Sequence, residues 1–116
     1  MNNLYFLIIF IFPILSYSQV NNKLTGNEFI NSLIVEKNYA KAYTFFDETV
    51  KNKISETLLK DTSEKLENQL GKFKSVLETN KENKTYLYYS DFEKMKLDIK
   101  ITFNDNNKII GFFFLP

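Results

Sequence analysis

The sequence predicts an α+β domain in which three N-terminal helices pack on one face of a four-stranded antiparallel sheet. Two observations carry this expectation. The apolar period is helical ahead of Gly71 and close to two after it. Turn-forming residues then divide the second half into strand-length runs. Helices segregated from strands in this way indicate helices gathered on one face of an antiparallel sheet.

Each element has its own signature. Thr25-Gly26-Asn27-Glu28 reads as a capping box for a first helix, with Phe29, Ile30, Leu33 and Ile34 as its apolar stripe and an end near Lys37-Asn38. In "YAKAYTFFDETV", Tyr39, Ala42, Tyr43, Phe46 and Val50 share one face of a second helix. Ser55 caps a third helix with Leu58, Leu59, Thr62, Leu66 and Leu70 inward, Glu56–Lys60 and Asp61–Lys65 paired outward, and Gly71 as its stop. Strands are expected at Phe73–Thr79, Thr85–Phe92, Met95–Phe103 and Lys108–Leu115. "NKENK" turns the first pair and "NDNN", Asn104–Asn107, the last. In the third strand Met95, Leu97, Ile99, Ile101 and Phe103 face inward, and Lys94, Lys96, Asp98, Lys100 and Thr102 outward onto a solvated face. The last strand, "IIGFFFLP", is apolar on both faces, with Ile109, Phe113 and Leu115 on one and Ile110, Phe112 and Phe114 on the other. It is either a central strand of a curved sheet or a homodimer contact through Ile110, Phe112 and Phe114.

Ahead of the domain stands "MNNLYFLIIFIFPILSYSQ". Leu4–Leu15 is nearly all apolar, and Ser16 and Ser18 set small residues at −3 and −1 of a cut before Gln19. This is the layout of a secretory signal peptide at residues 1–18, with one domain at residues 19–116. The run is shorter than the ~18–20 residues that span a bilayer. The expectation is export to the periplasm or beyond, with no stable membrane insertion after cleavage. No Lys or Arg precedes the apolar run, and an uncleaved anchor is the competing reading.

Composition excludes several chemistries. The chain has 116 residues, enough for one domain, and a formal net charge of +1, which gives no footprint for nucleic acid. It has no cysteine and no histidine, which removes disulfides, thiolate zinc sites, cysteine nucleophiles and the serine–histidine–aspartate triad. A metal would have to bind through oxygen, and no D-x-D-x-D-G loop supports that. No cofactor is expected. Asn83-Lys84-Thr85 fits a glycosylation sequon, a pattern common by chance.

Three motifs, "FINSLIVEKNYAKAYTFFDETVK", "LENQLGKF" and "KIIGFFFLP", occur in an order and spacing that resemble a family of exported bacterial domains of unknown function. Such domains occur alone or ahead of an α/β-hydrolase domain. The resemblance runs from about Asn27 to Pro116. It implies a cystatin-like, nuclear-transport-factor-2-like fold, a helical cone over a curved sheet whose interior often holds a ligand. A tryptophan common in the family's third helix would fall near Ser63 and is missing here. No hydrolase domain is expected to follow the closing strand. The family lends a fold and no activity.

Adjacent helix residues lie ~100° apart, so Asp47 and Glu48 do not converge as an acid–base pair. Glu48 faces water, while Asp47 either caps a helix break or looks into a cavity. The cavity candidates are Tyr39, Tyr43, Phe46, Asp47, Tyr88, Ile101, Phe103 and Phe113, which suit a small apolar or aromatic ligand. Filling the core is the competing role for the tyrosines, Tyr86 and Tyr89 included. The expected protein is a non-catalytic domain that binds a ligand in a helix–sheet cavity or acts as an interaction or dimerisation module. The alternative is an enzyme using Asp47 and tyrosine hydroxyls for acid–base chemistry.

Overall fold

The computed structural model describes residues 21–116, so the expected signal peptide at residues 1–18 lies outside the described residues. Helix α1 (Asn22–Ile30) runs on into a π-helical turn (Asn31–Val35), followed by α2 (Tyr39–Tyr43), α3 (Glu48–Lys51) and α4 (Glu56–Leu70). Strands β1 (Phe73–Glu82), β2 (Thr85–Phe92), β3 (Lys96–Phe103) and β4 (Ile109–Leu115) then form one antiparallel sheet in sequential order. Register irregularities in β1 and β4 add curvature. The α+β class and the four strands match the sequence expectation.

The helices depart from it. Three were expected, whereas four α-helices and a π segment are present among the described residues. Thr25 lies inside the first turn of α1, its N–H donating to the Asn21 carbonyl at 2.9 Å. Its hydroxyl accepts from Asn107 Nδ2 at 2.8 Å, so a tertiary contact takes the oxygen that the capping box would use. The expected single helix over Tyr39–Val50 splits because β4 competes for its backbone. Ile109 N–H donates to the Phe45 carbonyl at 2.9 Å, and Asp47 N–H donates to the Ile109 carbonyl at 3.0 Å. Phe46 thereby forms a parallel bridge with Ile109.

In α4, Ser55 caps as expected, its Oγ accepting from Leu58 N–H at 3.0 Å. The inward stripe is rotated by one residue. Leu59, Ser63 and Leu70 are buried with Leu66 partly so, while Thr62 is exposed and Leu58 is 49% exposed. The outer ion pair is Lys60–Glu64 at 4.0 Å; the expected Glu56–Lys60 and Asp61–Lys65 pairs do not form among the described residues. Gly71 ends the helix at φ +79°, where a Cβ would also meet Glu93 Cβ at 2.7 Å.

The inner sheet face carries Tyr86, Tyr88, Ser90 and Phe92 from β2 and Leu97, Ile99, Ile101 and Phe103 from β3, all buried. Met95 lies outside β3 and is exposed. In β4 the alternation expected from Ile109 onward is broken. Phe103 pairs with Ile109 but Thr102 with Gly111, so Ile110 is an extra residue in a bulge. A one-residue insertion flips every following side chain. Phe112 and Phe114 therefore join Ile109 against the core, while Ile110, Phe113 and Leu115 are exposed. The expected dimer patch of Ile110, Phe112 and Phe114 is not one surface.

Candidate functional site

At one end the helix–sheet interface is closed by aromatics. Phe29 makes edge contacts with Phe45, Phe46 and Phe112, and Phe112 with Phe114. Tyr88 is fully buried, and its hydroxyl donates to the Lys23 carbonyl at 3.0 Å. Burial holds that phenol well above its usual pKa, the neighbouring Tyr86 adding to the effect. Gly26 makes the fit possible, since a Cβ there would overlap the Tyr88 hydroxyl.

At the other end a cleft of about 270 Å³ remains open. Its walls are Ile34 and Val35 of the π turn, Ser63, Leu66 and Glu67 of α4, and Phe73 and Phe92 of the sheet. The π turn carries an i→i−5 bond, Glu36 N–H to the Asn31 carbonyl at 2.8 Å, and past Lys37 at φ +55° the Asn38 N–H closes the helix end on the Ser32 carbonyl at 2.8 Å. The buried Ser32 hydroxyl donates to the Glu28 carbonyl at 2.8 Å, competing with the α-helical pattern at this point. Such π segments interrupt helices often at functional sites. Phe73 and Phe92 meet edge to face at 5.4 Å and floor the cleft. Ser63 is 7% exposed, and its hydroxyl lies 3.5 Å from the Leu33 carbonyl, long for an O–H···O bond. At the rim Lys37 pairs with Glu67 at 2.8 Å, and hydrogen bonding to that carboxylate raises the ammonium pKa.

None of the expected cavity residues lines this cleft. Phe46, Tyr88, Ile101 and Phe103 are core; Tyr39 and Tyr43 pack against it. Tyr43 OH donates to the Lys51 carbonyl at 2.9 Å, with the Ile54 carbonyl 3.1 Å away. Phe113 is 57% exposed on the outer sheet face, displaced by the Ile110 bulge. Asp47 is the N-cap of α3. Its Oδ2 accepts from Thr49 Oγ1 at 2.6 Å and Thr49 N–H at 3.1 Å, and its Oδ1 from Asn104 Nδ2 at 3.0 Å. The Thr49 hydroxyl, the Thr49 N–H and then Asn104 hold its pKa below the usual carboxylate value. A carboxylate held this way is a poor proton carrier near neutral pH.

Sequence reasoning passed over Phe73 and Phe92 as site residues and met Ser63 only as the position where the family's tryptophan is missing. A small polar residue on the otherwise apolar inner stripe of α4 is the signal that could have found Ser63. A second hollow, about 370 Å³, lies on the uncovered outer sheet face between Leu87, Lys100 and Leu115. Its walls include the long side chains of Lys81 and Glu82 and no aromatic ring. Among the described residues no group of three or more His, Cys, Asp or Glu could hold a metal ion, and no helix is long and apolar enough to cross a membrane.

The family described as "Protein of unknown function (DUF3887)" matches residues 27–112, and the chain belongs to that family. No curated protein and no solved structure matches it.

Proposed function

We propose that this protein is an exported, non-catalytic domain of the cystatin-like, nuclear-transport-factor-2-like kind that binds a small apolar or aromatic ligand. The site is the cleft between the π turn, α4 and the Phe73–Phe92 pair. The observation that carries the reading is that cleft itself, an opening of about 270 Å³ floored by two aromatic rings in an otherwise filled interior. This is just below the ~300–1,000 Å³ typical of ligand sites, the scale of one ring system. The rim offers Lys72 to an anionic substituent, Lys37 being paired with Glu67. Export rests on the leader-like residues 1–18, and the cone-type assignment on helices stacked over a curved four-stranded sheet. The capping role of Asp47 argues against its use in acid–base catalysis.

Titration with 1-anilinonaphthalene-8-sulfonate tests the site, the probe being an aromatic body with one anionic group. Saturable fluorescence enhancement is expected for the natural chain, with at least a tenfold loss of affinity in Ser63→Leu, whose side chain fills the cleft. Far-UV circular dichroism and the melting temperature of the variant establish that it is folded. Equal binding by a folded Ser63→Leu variant would place the ligand elsewhere.

A further inference from the structure

The two edges of the sheet are built differently. The β1 edge carries Lys74, Glu78, Lys81 and Glu82, and its ladder with β2 is irregular between Phe73 and Ser75 and between Val76 and Glu78. Charges and irregularities are how edge strands avoid pairing with other chains. The β4 edge, IIGFFFL, has no charged residue. Only its start is covered, where Ile109 bonds to Phe45 and Asp47. Among the described residues, Gly111–Leu115 has no backbone partner besides β3.

We propose that β4 pairs antiparallel with β4 of a second copy of this chain, joining two sheets into one. The covered segment at Ile109 limits the register. Pairing all of the free stretch 111–115 with itself sets Phe113 opposite the partner's Phe113, Phe112 opposite the partner's Phe114, and Gly111 opposite the partner's Leu115. Each of these contacts is complementary. Phe112 and Phe114 are half-buried, and their open sides meet across the seam on the inner face. Phe113, 57% exposed, meets its counterpart on the outer face. Gly111 supplies the space for a facing Leu115. Directly opposed aromatic pairs each stabilise a sheet seam, and an uncharged edge meets itself with no like-charge repulsion. A two-fold contact of this kind closes at two copies. The guarded β1 edge disfavours the head-to-tail alternative, β4 against β1, that would grow filaments. The pairing is independent of the ligand cleft, which lies at the opposite end of the sheet order, beside β1 and β2.

The full chain contains no cysteine, so single substitutions report on this contact cleanly. Phe113→Cys, Leu87→Cys and Glu78→Cys are treated with diamide and run on a non-reducing gel. Phe113→Cys is expected to convert mostly to a disulfide-linked dimer while the Leu87 and Glu78 variants stay monomeric, because only position 113 meets its own counterpart. Cross-linking at Leu87 in place of 113 would mean that the sheets stack face to face, and no position-specific cross-linking would mean a monomer; either result overturns the proposal. As a second measurement, Phe113→Lys and Phe113→Glu are each expected to sediment as monomers and their mixture as a dimer. A mixture that stays monomeric also counts against it.

Discussion

The two ends of the helix–sheet interface use the same materials to opposite effect. At the closed end Phe29 sits among Phe45, Phe46 and Phe112, and Tyr88 reaches under Gly26 to the Lys23 carbonyl. At the open end an equally apolar floor, Phe73 against Phe92, is roofed by Ser63 and a widened turn of helix. Aromatic content therefore does not mark where this interface stays open. What marks the cleft is a small residue and a helix irregularity at a position where the neighbouring elements supply full-sized side chains.

The largest effect is expected from emptying the closed end. Phe29 is fully buried and touches three other rings, so Phe29→Ala should cost about 3–5 kcal/mol in urea unfolding. A cost under about 2 kcal/mol would mean that this end repacks and is no more rigid than the cleft.

A smaller and sharper comparison adds atoms to both ends. Gly26→Ala inserts one carbon into the space of the Tyr88 hydroxyl, which its bond to Lys23 holds in place. Overpacking of this kind should cost about 1–3 kcal/mol. Ser63→Leu adds more volume, yet it grows into the cleft and gives up only a long hydroxyl contact, so stability should change by less than about 1 kcal/mol. Thermal unfolding of the two variants side by side checks the contrast, and equal destabilisation would remove it.

Much of the closed end was legible from the sequence, and little of the open end was. The alternation Leu97, Ile99, Ile101, Phe103 maps one-to-one onto buried positions because a regular strand keeps its period. The cleft is assembled from Ile34, Ser63, Phe73 and Phe92, four residues on different elements, and depends on a π turn that has no periodic signature. β4 misled for a local reason: one bulge residue, Ile110, exchanged the faces of everything after it. The turn Asn104–Asn107 was legible as a turn and not as a hub. Asn107 exchanges hydrogen bonds with Asn22 and Thr25 of α1, and Asn104 reaches Asp47. Those partners are set by tertiary approach, which a run of polar residues does not encode.

Asp47 gives the smallest effect, and one that depends on pH. Its folded-state pKa is lowered, first by the Thr49 hydroxyl, then by the Thr49 N–H and Asn104. A carboxyl lowered on folding contributes stability that is complete above its unfolded value of ~3.9 and lost as pH falls through the folded value. In Asp47→Asn the amide oxygen can still accept from Thr49, but the amide nitrogen meets the Asn104 donor and the charge at the α3 N-terminus is gone. The variant should therefore melt lower than the natural chain near pH 7, and the gap should close as the pH is taken down to about 2. Asp105, lowered by Lys84, titrates in the same direction in both proteins and cancels in the difference. Thermal melts of both proteins across that range decide the point. A gap that persists undiminished in acid would mean that the N-cap geometry, and not the carboxylate charge, holds the helix break against β4.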